Sequence, residues 1–226
     1  MLILAADTAL GACSAAVVEN GKLRAQAFEL MARGHAEWLA PMVEKVMRDA
    51  GVAFTALERL GVTTGPGTFT GQRLGLAFMR GLALTLRLPL VGVTTLDAMA
   101  EAALTRSDVA CAVACTDARR GEIYLGARMR KGKTLVEPIL LPLAQAAAHL
   151  ASFPVETKNK VVLAGTAAEL FAPLLATRGI ESEDSGVREP DAQFVAQLAA
   201  HASPPATPPK PLYLREPDAK LPGAPS

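Results

Sequence analysis

The chain has 226 residues and nearly balanced charge, with 23 basic and 22 acidic side chains and a formal net charge of +1. This balance excludes the strong positive field of an autonomous nucleic-acid-binding protein. Half of the residues are hydrophobic, but no run approaches the roughly 20 uninterrupted apolar residues that a membrane-spanning helix requires. We therefore expect a soluble protein with one large or two small apolar cores, and favour two.

The start of the chain and its cysteines bear on the cellular compartment. Met1 leads directly into the strand-like LILAAD, without the basic segment or cleavage site of a secretory signal. Cys13, Cys111 and Cys115 are odd in number and stand in apolar surroundings, which favours small core residues over a disulfide framework. We expect a cytoplasmic protein, and a zinc site is disfavoured.

The N-terminal part predicts a β-meander followed by a helix. LILAADT, CSAAVVE and KLRAQAFE are β-like runs, and Asn20-Gly21 is a strong hairpin signal. From His35 the apolar spacing becomes that of an amphipathic helix, which Gly51 is expected to end. The helical stripe consists of Leu39, Met42, Val43, Val46 and Met47.

The next segment predicts further strands and helices of the same layer. ERLGVTT indicates a buried strand, GPGTF a loop, residues 70–88 a helix ended by Pro89, and LVGV another strand. This order predicts an α/β mixed sheet with helices packed on it. The helix from residue 70 is apolar around most of its circumference, so part of its surface must be covered by the preceding helix or by another protein.

The second half repeats part of this pattern. DVACAVACTDARRGEIYLGARMRKGKTLVEP predicts a second meander, and Asp117 ends its first strand much as Asp7 ends the first strand of the chain. This weak echo is consistent with duplication. The strand VVLAG is expected among helices near residues 143–150, 166–177 and 191–201. We place lobes at residues 1–102 and 103–202, and an extended Pro-rich linker with a frayed tail at 203–226.

Two loops have compositions compatible with phosphate binding. Their candidate residues are Asp7, Thr8 and Ser14 in the first loop, and Gly65, Gly67, Thr68 and Thr70 in the second. Thr70 is expected to cap the helix that follows GPGTFTG. Neither loop matches a dinucleotide fingerprint or a P-loop, so a purely structural turn remains the alternative for both.

The histidines and the basic stretch give weaker signals. His35, His149 and His201 lie far apart without zinc-site spacing, so metal catalysis is disfavoured and His35 is expected at a surface or interface. The densest basic stretch indicates a solvated hairpin, with contact to phosphates as the alternative. Its members are Arg119, Arg120, Arg128, Arg130, Lys131 and Lys133.

Six ordered blocks of the chain resemble the TsaB (YeaZ) family. They are ILAADTALGACSAAV, RGHAEWLAPMV, GPGTFTGQRLGLAFMRGLA, PLVGVTTLDAMA, DARRGEIYLGA and PLYLRE. The resemblance implies the actin-like (ASKHA) fold, with two ribonuclease-H-like lobes of which the second is reduced. It also implies a non-catalytic scaffold or activating subunit in the formation of N6-threonylcarbamoyladenosine, in tRNAs that read codons beginning with A.

The same resemblance implies partners. These are the catalytic subunit TsaD, the ATPase TsaE and a functional link to TsaC, with tRNA contacted only within the complex. Association is expected through the first two helices, residues 36–50 and 70–86, which would also form a homodimer when the chain is alone. The implied interface residues are His35, Leu39, Met42, Val43, Val46, Leu74, Phe78, Met79 and Leu82.

The chain departs from TsaD-like relatives at their metal motif, because GHAEWLAPM supplies His35 alone and position 39 is Leu. We assign no catalytic residue, no metal and no intrinsic cofactor, with nucleotide bound at most at the interface with TsaD. An ATP-dependent small-molecule kinase, in which Asp7 and Asp117 hold magnesium, is the alternative. A peptidase would require metal at His35 and gains no support.

Overall fold

The computed structural model describes residues 1–130, 132–153 and 160–215, which form two five-stranded mixed sheets. The first sheet contains β1 (Leu2–Asp7), β2 (Ala12–Glu19), β3 (Lys22–Leu30), β4 (Arg59–Thr63) and β5 (Leu90–Val93). Its strand order is β3-β2-β1-β4-β5. The first three strands pair antiparallel, as predicted, whereas β4 and β5 run parallel to β1.

The β2–β3 hairpin turns at Asn20 and Gly21, as the sequence predicts. Both residues have left-handed backbone conformations, with φ of 51° and 79°, as a two-residue type I′ loop requires. Asn tolerates this region better than most residues and Gly enters it without steric cost. Local sequence therefore sets the register at this edge of the sheet.

Two helices cover one face of the first sheet. They are α1 (His35–Asp49) and α2 (Phe69–Leu86), and a single 3₁₀ turn at Phe54–Ala56 precedes β4. The predicted apolar stripe of α1 is buried against β2 and β3. Gly51 follows α1 with φ of 68°, and α2 ends at Leu86, two residues short of the predicted end at residue 88, with Arg87 as its left-handed C-cap.

The second sheet repeats the topology of the first. It contains β6 (Cys111–Arg119), β7 (Glu122–Met129), β8 (Thr134–Pro142), β9 (Lys160–Ala164) and β10 (Glu181–Asp184). Its order, β10-β9-β6-β7-β8, matches the first sheet strand for strand when read from its other end. The second meander is confirmed, but β10 was not predicted because its sequence ESED is polar.

The helices on the second sheet are shorter than those on the first. They are α4 (Leu143–Ala151) and α5 (Ala168–Ala176), each of nine residues, whereas α1 has 15 and α2 has 18. The predicted reduction of the second lobe is therefore seen in its helices, while its sheet keeps five strands.

The two remaining helices each pack on the sheet farther from them in the sequence pattern: the helix after β5 lies on the second sheet, and the helix after β10 lies on the first. α3 (Thr95–Thr105) packs on strands of the second sheet, and α6 (Ala192–His201) packs on β1, β2 and β4 of the first. Ile3 of β1 thus shares a core with Val195 of α6. Most of α3 falls within the predicted lobe at 1–102 but packs on the second sheet, and α6 falls within 103–202 but packs on the first. The lobe bounds themselves stay a prediction. Periodicity identifies the buried face of a helix but not the sheet that buries it.

Residues 203–215, here called the C-terminal strap, run without helix or strand across the first lobe, as the prolines predict. Leu212 N donates to Thr64 O (2.8 Å), and Arg80 Nε donates to Pro209 O (3.1 Å). The predicted fraying concerns residues that lie outside those the structure describes. Within the described ranges, no helix is both long and apolar enough to cross a lipid bilayer.

Candidate functional site

Asp7 ends β1 as a fully buried carboxyl group. Its Oδ1 accepts hydrogen bonds from Thr63 Oγ1 (2.5 Å) and Ala9 N (3.1 Å), whereas its Oδ2 is buried and has no hydrogen-bond partner among the residues that the structure describes. Burial raises the pKa of Asp7 to about 7, because the two bonds replace only part of the hydration that the charged form loses. The negative charges of Glu189 and Asp191 act in the same direction.

The two candidate phosphate loops pack against each other. Thr68 N donates to Ala9 O (2.8 Å), and Thr8 Oγ1 donates to Gly71 O (2.7 Å). A Cβ atom on Gly71 would lie 2.0 Å from Thr8 O, and one on Gly67 would lie 2.3 Å from Ala9 O. Only glycine permits this approach. These contacts favour the structural alternative for both loops.

The start of α2 differs in detail from the prediction. Thr68, rather than Thr70, caps the helix, because its Oγ1 accepts a hydrogen bond from Gly71 N (3.1 Å), while Thr70 is exposed. Gly65 has φ of 111° and leaves no room for a Cβ beside the Gln72 side chain. The GPGTFTG motif is therefore a tightly packed strand-to-helix turn.

Ser14 and Asp117 do not join the loops. Ser14 Oγ accepts a hydrogen bond from Ala192 N (2.9 Å) at the start of α6. Asp117 is exposed, and its Oδ1 accepts a hydrogen bond from Arg119 N (2.7 Å) within its own hairpin. Asp117 thus resembles Asp7 in its place near the end of the first strand of its sheet, but it is exposed whereas Asp7 is buried.

Five of the nine predicted interface residues are core residues of the first lobe. These are Leu39, Met42, Val43, Val46 and Met79. Their helical spacing reflects packing on the sheet of this chain, and their side chains lie in its own core rather than on the outer surface of α1 and α2. The other apolar members, Leu74, Phe78 and Leu82, are half-buried and form a row along α2. The interface itself stays a prediction.

The outer surface of α1 and α2 carries large apolar residues that the sequence did not single out. Trp38 is 54% exposed and Leu84 is 82% exposed. Trp38 is the single tryptophan of the chain and directly precedes the stripe, which is a signal that could have found it. Between these side chains, Ala77, Gly81 and Thr85 occupy successive turns of the exposed face of α2.

Gly81 has no packing role within the described chain. A Cβ built on it would meet nothing within 4 Å beyond its own turn of helix, whereas Gly71 and Gly75 both accommodate Thr8. A glycine inside a helix costs about 1 kcal/mol relative to alanine. Its small size would be useful where another backbone approaches α2 closely.

The histidine and cysteine side chains form no chemical site here. His35 is half-buried, with Nε2 3.1 Å from Leu10 O. Among the described residues, no group of three or more His, Cys, Asp or Glu is arranged to hold a metal ion. The three cysteines are free and buried, as expected for core residues, and burial raises the pKa of their thiols to about 11 or 12.

The basic stretch divides into two parts. Arg128 lies in a cleft of about 680 Å³ and pairs with Asp97 (Nη1 to Oδ1, 3.1 Å), while Arg130 Nη2 donates to Val109 O (3.2 Å). Lys131 lies outside the described residues. Arg119 and Arg120 are exposed at the tip of the β6–β7 hairpin. The predicted hairpin is confirmed, and these two arginines are its most outward part.

Comparison with known proteins agrees with this architecture. The family model described as "TsaD: tRNA N6-adenosine threonylcarbamoyltransferase" matches residues 28–220. The tRNA threonylcarbamoyladenosine biosynthesis protein TsaB of Escherichia coli (strain K12) is 42% identical over 124 residues, which are 55% of this chain and 53% of that protein. The matched region thus spans about half the length of this relative.

Solved structures extend the likeness to most of the chain. The structure of "YeaZ from Pseudomonas aeruginosa" is 27% identical, covers 88% of this chain and 90% of its own, and gives a TM-score of 0.73. A ROK hexokinase from Thermus thermophilus, at 17% identity, covers 88% of this chain and 97% of its own with a TM-score of 0.52. The latter likeness shows the fold alone, and the predicted actin-like fold is confirmed. The chain therefore belongs to the family that the TsaD model describes and, within it, to the TsaB (YeaZ) proteins.

Proposed function

We propose that this chain is a non-catalytic cytoplasmic subunit that binds and activates a TsaD-type catalytic subunit. In this role it supports formation of N6-threonylcarbamoyladenosine in tRNAs that read codons beginning with A. TsaE is the proposed third component, TsaC or a relative supplies the threonylcarbamoyl adenylate, and tRNA is handled only by the assembled complex. The name of the E. coli relative supports the pathway.

The observation that carries this proposal is the outer surface of α1 and α2. Leu84 and Trp38 expose large apolar areas there, and Leu74 and Phe78 are only half-buried. Exposed apolar surface of this kind marks a contact with another protein more often than chance. Gly81 lies between these side chains and would allow the backbone of a partner helix to approach. In the absence of TsaD, a second copy of this chain would cover the same surface.

A small-molecule kinase of the same fold gains less support. Its magnesium ligands would be Asp7 and Asp117, but Asp7 is buried with one oxygen bonded to Thr63 and Ala9. Asp117 is engaged in its own hairpin turn. The loops expected to meet phosphates contact each other instead. Nucleotide at the interface with TsaD stays a proposal that no contact within this chain requires.

The sharpest test uses Gly81, because a Cβ added there meets no atom of the described residues within 4 Å beyond its own turn of helix. Gly81→Leu is expected to weaken binding to TsaD from the same organism at least tenfold, since the side chain would fill the space into which a partner helix packs. Gly81→Ala is the matched control for helix propensity and should weaken binding less. Isothermal titration calorimetry measures both affinities, and thermal melting shows that both variants fold.

A second pair of variants tests the apolar row. Leu74→Glu places a charge at the half-buried edge of α2 and should also weaken binding, whereas Leu170→Glu alters an exposed leucine of α5, 61% exposed, in the second lobe. Threonylcarbamoyl transfer is then measured with each component omitted in turn. Wild-type affinity in both Gly81→Leu and Leu74→Glu, or transfer by this chain alone, would contradict the proposal.

A further inference from the structure

Aromatic and basic side chains cluster where the C-terminal strap meets the first turn of α2. The rings of Phe69 and Tyr213 stack with centroids 5.9 Å apart and planes at 25°. Arg73 Cζ lies 3.5 Å from the centre of the Phe69 ring, and Arg73 Nε donates to Tyr213 Oη (2.7 Å). Phe69 remains 56% exposed and Tyr213 45% exposed. The folded chain therefore presents a preformed stack to solvent.

The strap connects this stack to the β6–β7 hairpin. Arg215 Nη1 donates to Ala118 O (2.8 Å), and its Nη2 pairs with Glu122. Two residues of extended chain span about 7 Å, so Tyr213 adjoins the hairpin. We name the stack and the hairpin tip, which Arg215 links, the arginine ridge. It consists of Phe69, Arg73, Arg119, Arg120, Tyr213 and Arg215.

The backbone at the tip of the ridge is unfavourable for the residues it holds. Arg119 and Arg120 have φ of 63° and 58°, in the left-handed region that side chains with a Cβ disfavour. The β2–β3 hairpin has Asn20 and Gly21 at the two loop positions that Arg120 and Gly121 occupy here, which is the usual residue choice for a two-residue loop. Two neighbouring arginines in this conformation are an observed backbone outlier, which points to a use for their side chains.

The ridge carries a local excess of positive charge in a nearly neutral chain. Its four arginines, Arg73, Arg119, Arg120 and Arg215, outnumber Asp117 and Glu122, the neighbouring acids among the described residues, together with Glu216, which follows Arg215 in the sequence. Glu122 is paired with Arg215, and one Asp117 oxygen accepts from the Arg119 backbone. Exposed guanidinium groups bind phosphates, and exposed aromatic rings stack with unpaired bases.

We propose that the arginine ridge binds unpaired nucleotides of RNA, with Arg119 and Arg120 on phosphates and the Phe69–Arg73–Tyr213 stack against a base. The choice of RNA as partner rests on the proposed function in tRNA modification, and the ridge adds to it a contact surface on this chain. Net charge near zero makes this contact too weak for binding by the chain alone. The ridge acts within the assembled complex, where the catalytic subunit supplies further contacts.

The test measures binding of a tRNA transcript to the complete chain assembled with its catalytic subunit, at several salt concentrations. Arg119→Asn combined with Arg120→Asn removes two charges and keeps residues that tolerate the left-handed turn. We expect at least tenfold weaker binding. The slope of log affinity against log salt concentration should also be shallower, by the amount that corresponds to the loss of about two phosphate contacts. Tyr213→Ala should weaken binding several-fold and leave the slope unchanged, because stacking releases no counterions.

The controls separate this surface from the subunit interface. Arg178→Asn alters an exposed arginine of the second lobe and should leave RNA affinity unchanged, and all variants should bind the catalytic subunit as the wild type does. Unchanged RNA affinity and slope in both ridge variants overturns the inference and leaves the proposed function intact. Loss of subunit assembly in those variants, or weakened binding of free ATP with unchanged RNA affinity, also overturns it. Failure of the wild type to assemble would instead refute the proposed function.

Discussion

The two lobes share one strand order but differ where their strands end. In the first lobe, the connections after β1 and β4 pack through Gly67 and Gly71 and enclose Asp7. In the second, the connection after β6 is a short hairpin with Asp117 exposed and two arginines at its tip. The sheets are thus a common framework, while the connections differ in burial and charge.

Helix length separates the lobes further. α2 has 18 residues and is about 27 Å long at 1.5 Å per residue, whereas the five residues of β4 span about 17 Å. α2 therefore extends beyond the strand that it covers, and Leu84 near its end stays exposed. The corresponding α5 has nine residues and does not overshoot in this way.

The variant with the largest expected effect tests whether the two lobes unfold separately. Phe171 is fully buried in the second lobe, and Phe171→Ala should lower the free energy of unfolding by about 3–5 kcal/mol. Because α3 and α6 exchange sheets, we expect one transition. The urea midpoints of unfolding, measured by Trp38 fluorescence in the first lobe and by circular dichroism of the whole chain, should shift together. A Trp38 transition that stays at its wild-type midpoint would show independent lobes.

A smaller effect contrasts two glycines of α2. Gly71→Ala forces a Cβ against Thr8 O and should destabilise the chain by about 1–3 kcal/mol, or more if the loops cannot shift. Gly81→Ala meets no neighbour and should stabilise it by up to about 1 kcal/mol. Differential scanning calorimetry of the two variants measures both signs. Equal effects would mean that the loop packing adds nothing to stability.

The buried carboxyl group predicts a pH dependence specific to the first lobe. The pKa of Asp7 is raised from 3.8 to about 7, so between these values the folded chain holds a proton that the unfolded chain has released. The stability contributed by this group is present at low pH and is lost as pH rises towards 7, by about 1.4 kcal/mol per pH unit at most.

Asp7→Asn should remove this part of the slope, and the exposed Asp117→Asn of the second lobe should retain it. Urea midpoints between pH 4 and pH 8 measure the slope in each variant. Raised pKa values of the half-buried Glu189 and Asp191 carboxyl groups act in the same direction, so a residual slope is expected. An unaltered slope in Asp7→Asn would show that Asp7 is not its source.

The smallest effect compares the two hairpin tips. Asn20→Arg gives the β2–β3 loop the arginine-glycine pair found at the β6–β7 tip, and should lower stability by about 0.5 kcal/mol, since arginine enters the left-handed region less readily than asparagine. Thermal melting of this variant beside the wild type measures the difference. A higher melting temperature in the variant would contradict the claim that arginine is unfavourable in such a turn.

Much of the fold follows from local sequence signals. Asn20-Gly21 sets a hairpin, and the spacing from Leu39 to Met47 identifies the buried face of α1. Sequence could not say what covers that face, so core residues such as Met42 were assigned to a partner. It also could not place α6 on the first sheet, because that depends on contacts between distant parts of the chain. β10 was missed because an edge strand with the sequence ESED has no apolar pattern.

The candidate site was less predictable than the fold. The glycines of GPGTFTG suggested a ligand loop, but Gly67 and Gly71 are needed for contact with Ala9 and Thr8. Composition cannot distinguish a backbone approached by a ligand from one approached by another part of the same chain. Tyr213 lies in a Pro-rich segment without periodicity, so its stack with Phe69 could be found only in three dimensions.

The position of α6 over β1 has a consequence for biosynthesis. Ile3 and Ala5 share a core with Val195 and Ala199, so β1 keeps an uncovered apolar face after its synthesis until α6 has been translated. At roughly 5–20 residues per second, that interval lasts about 10–40 s. During this interval the nascent chain exposes an apolar surface that can aggregate, so binding by chaperones would be needed most at this stage.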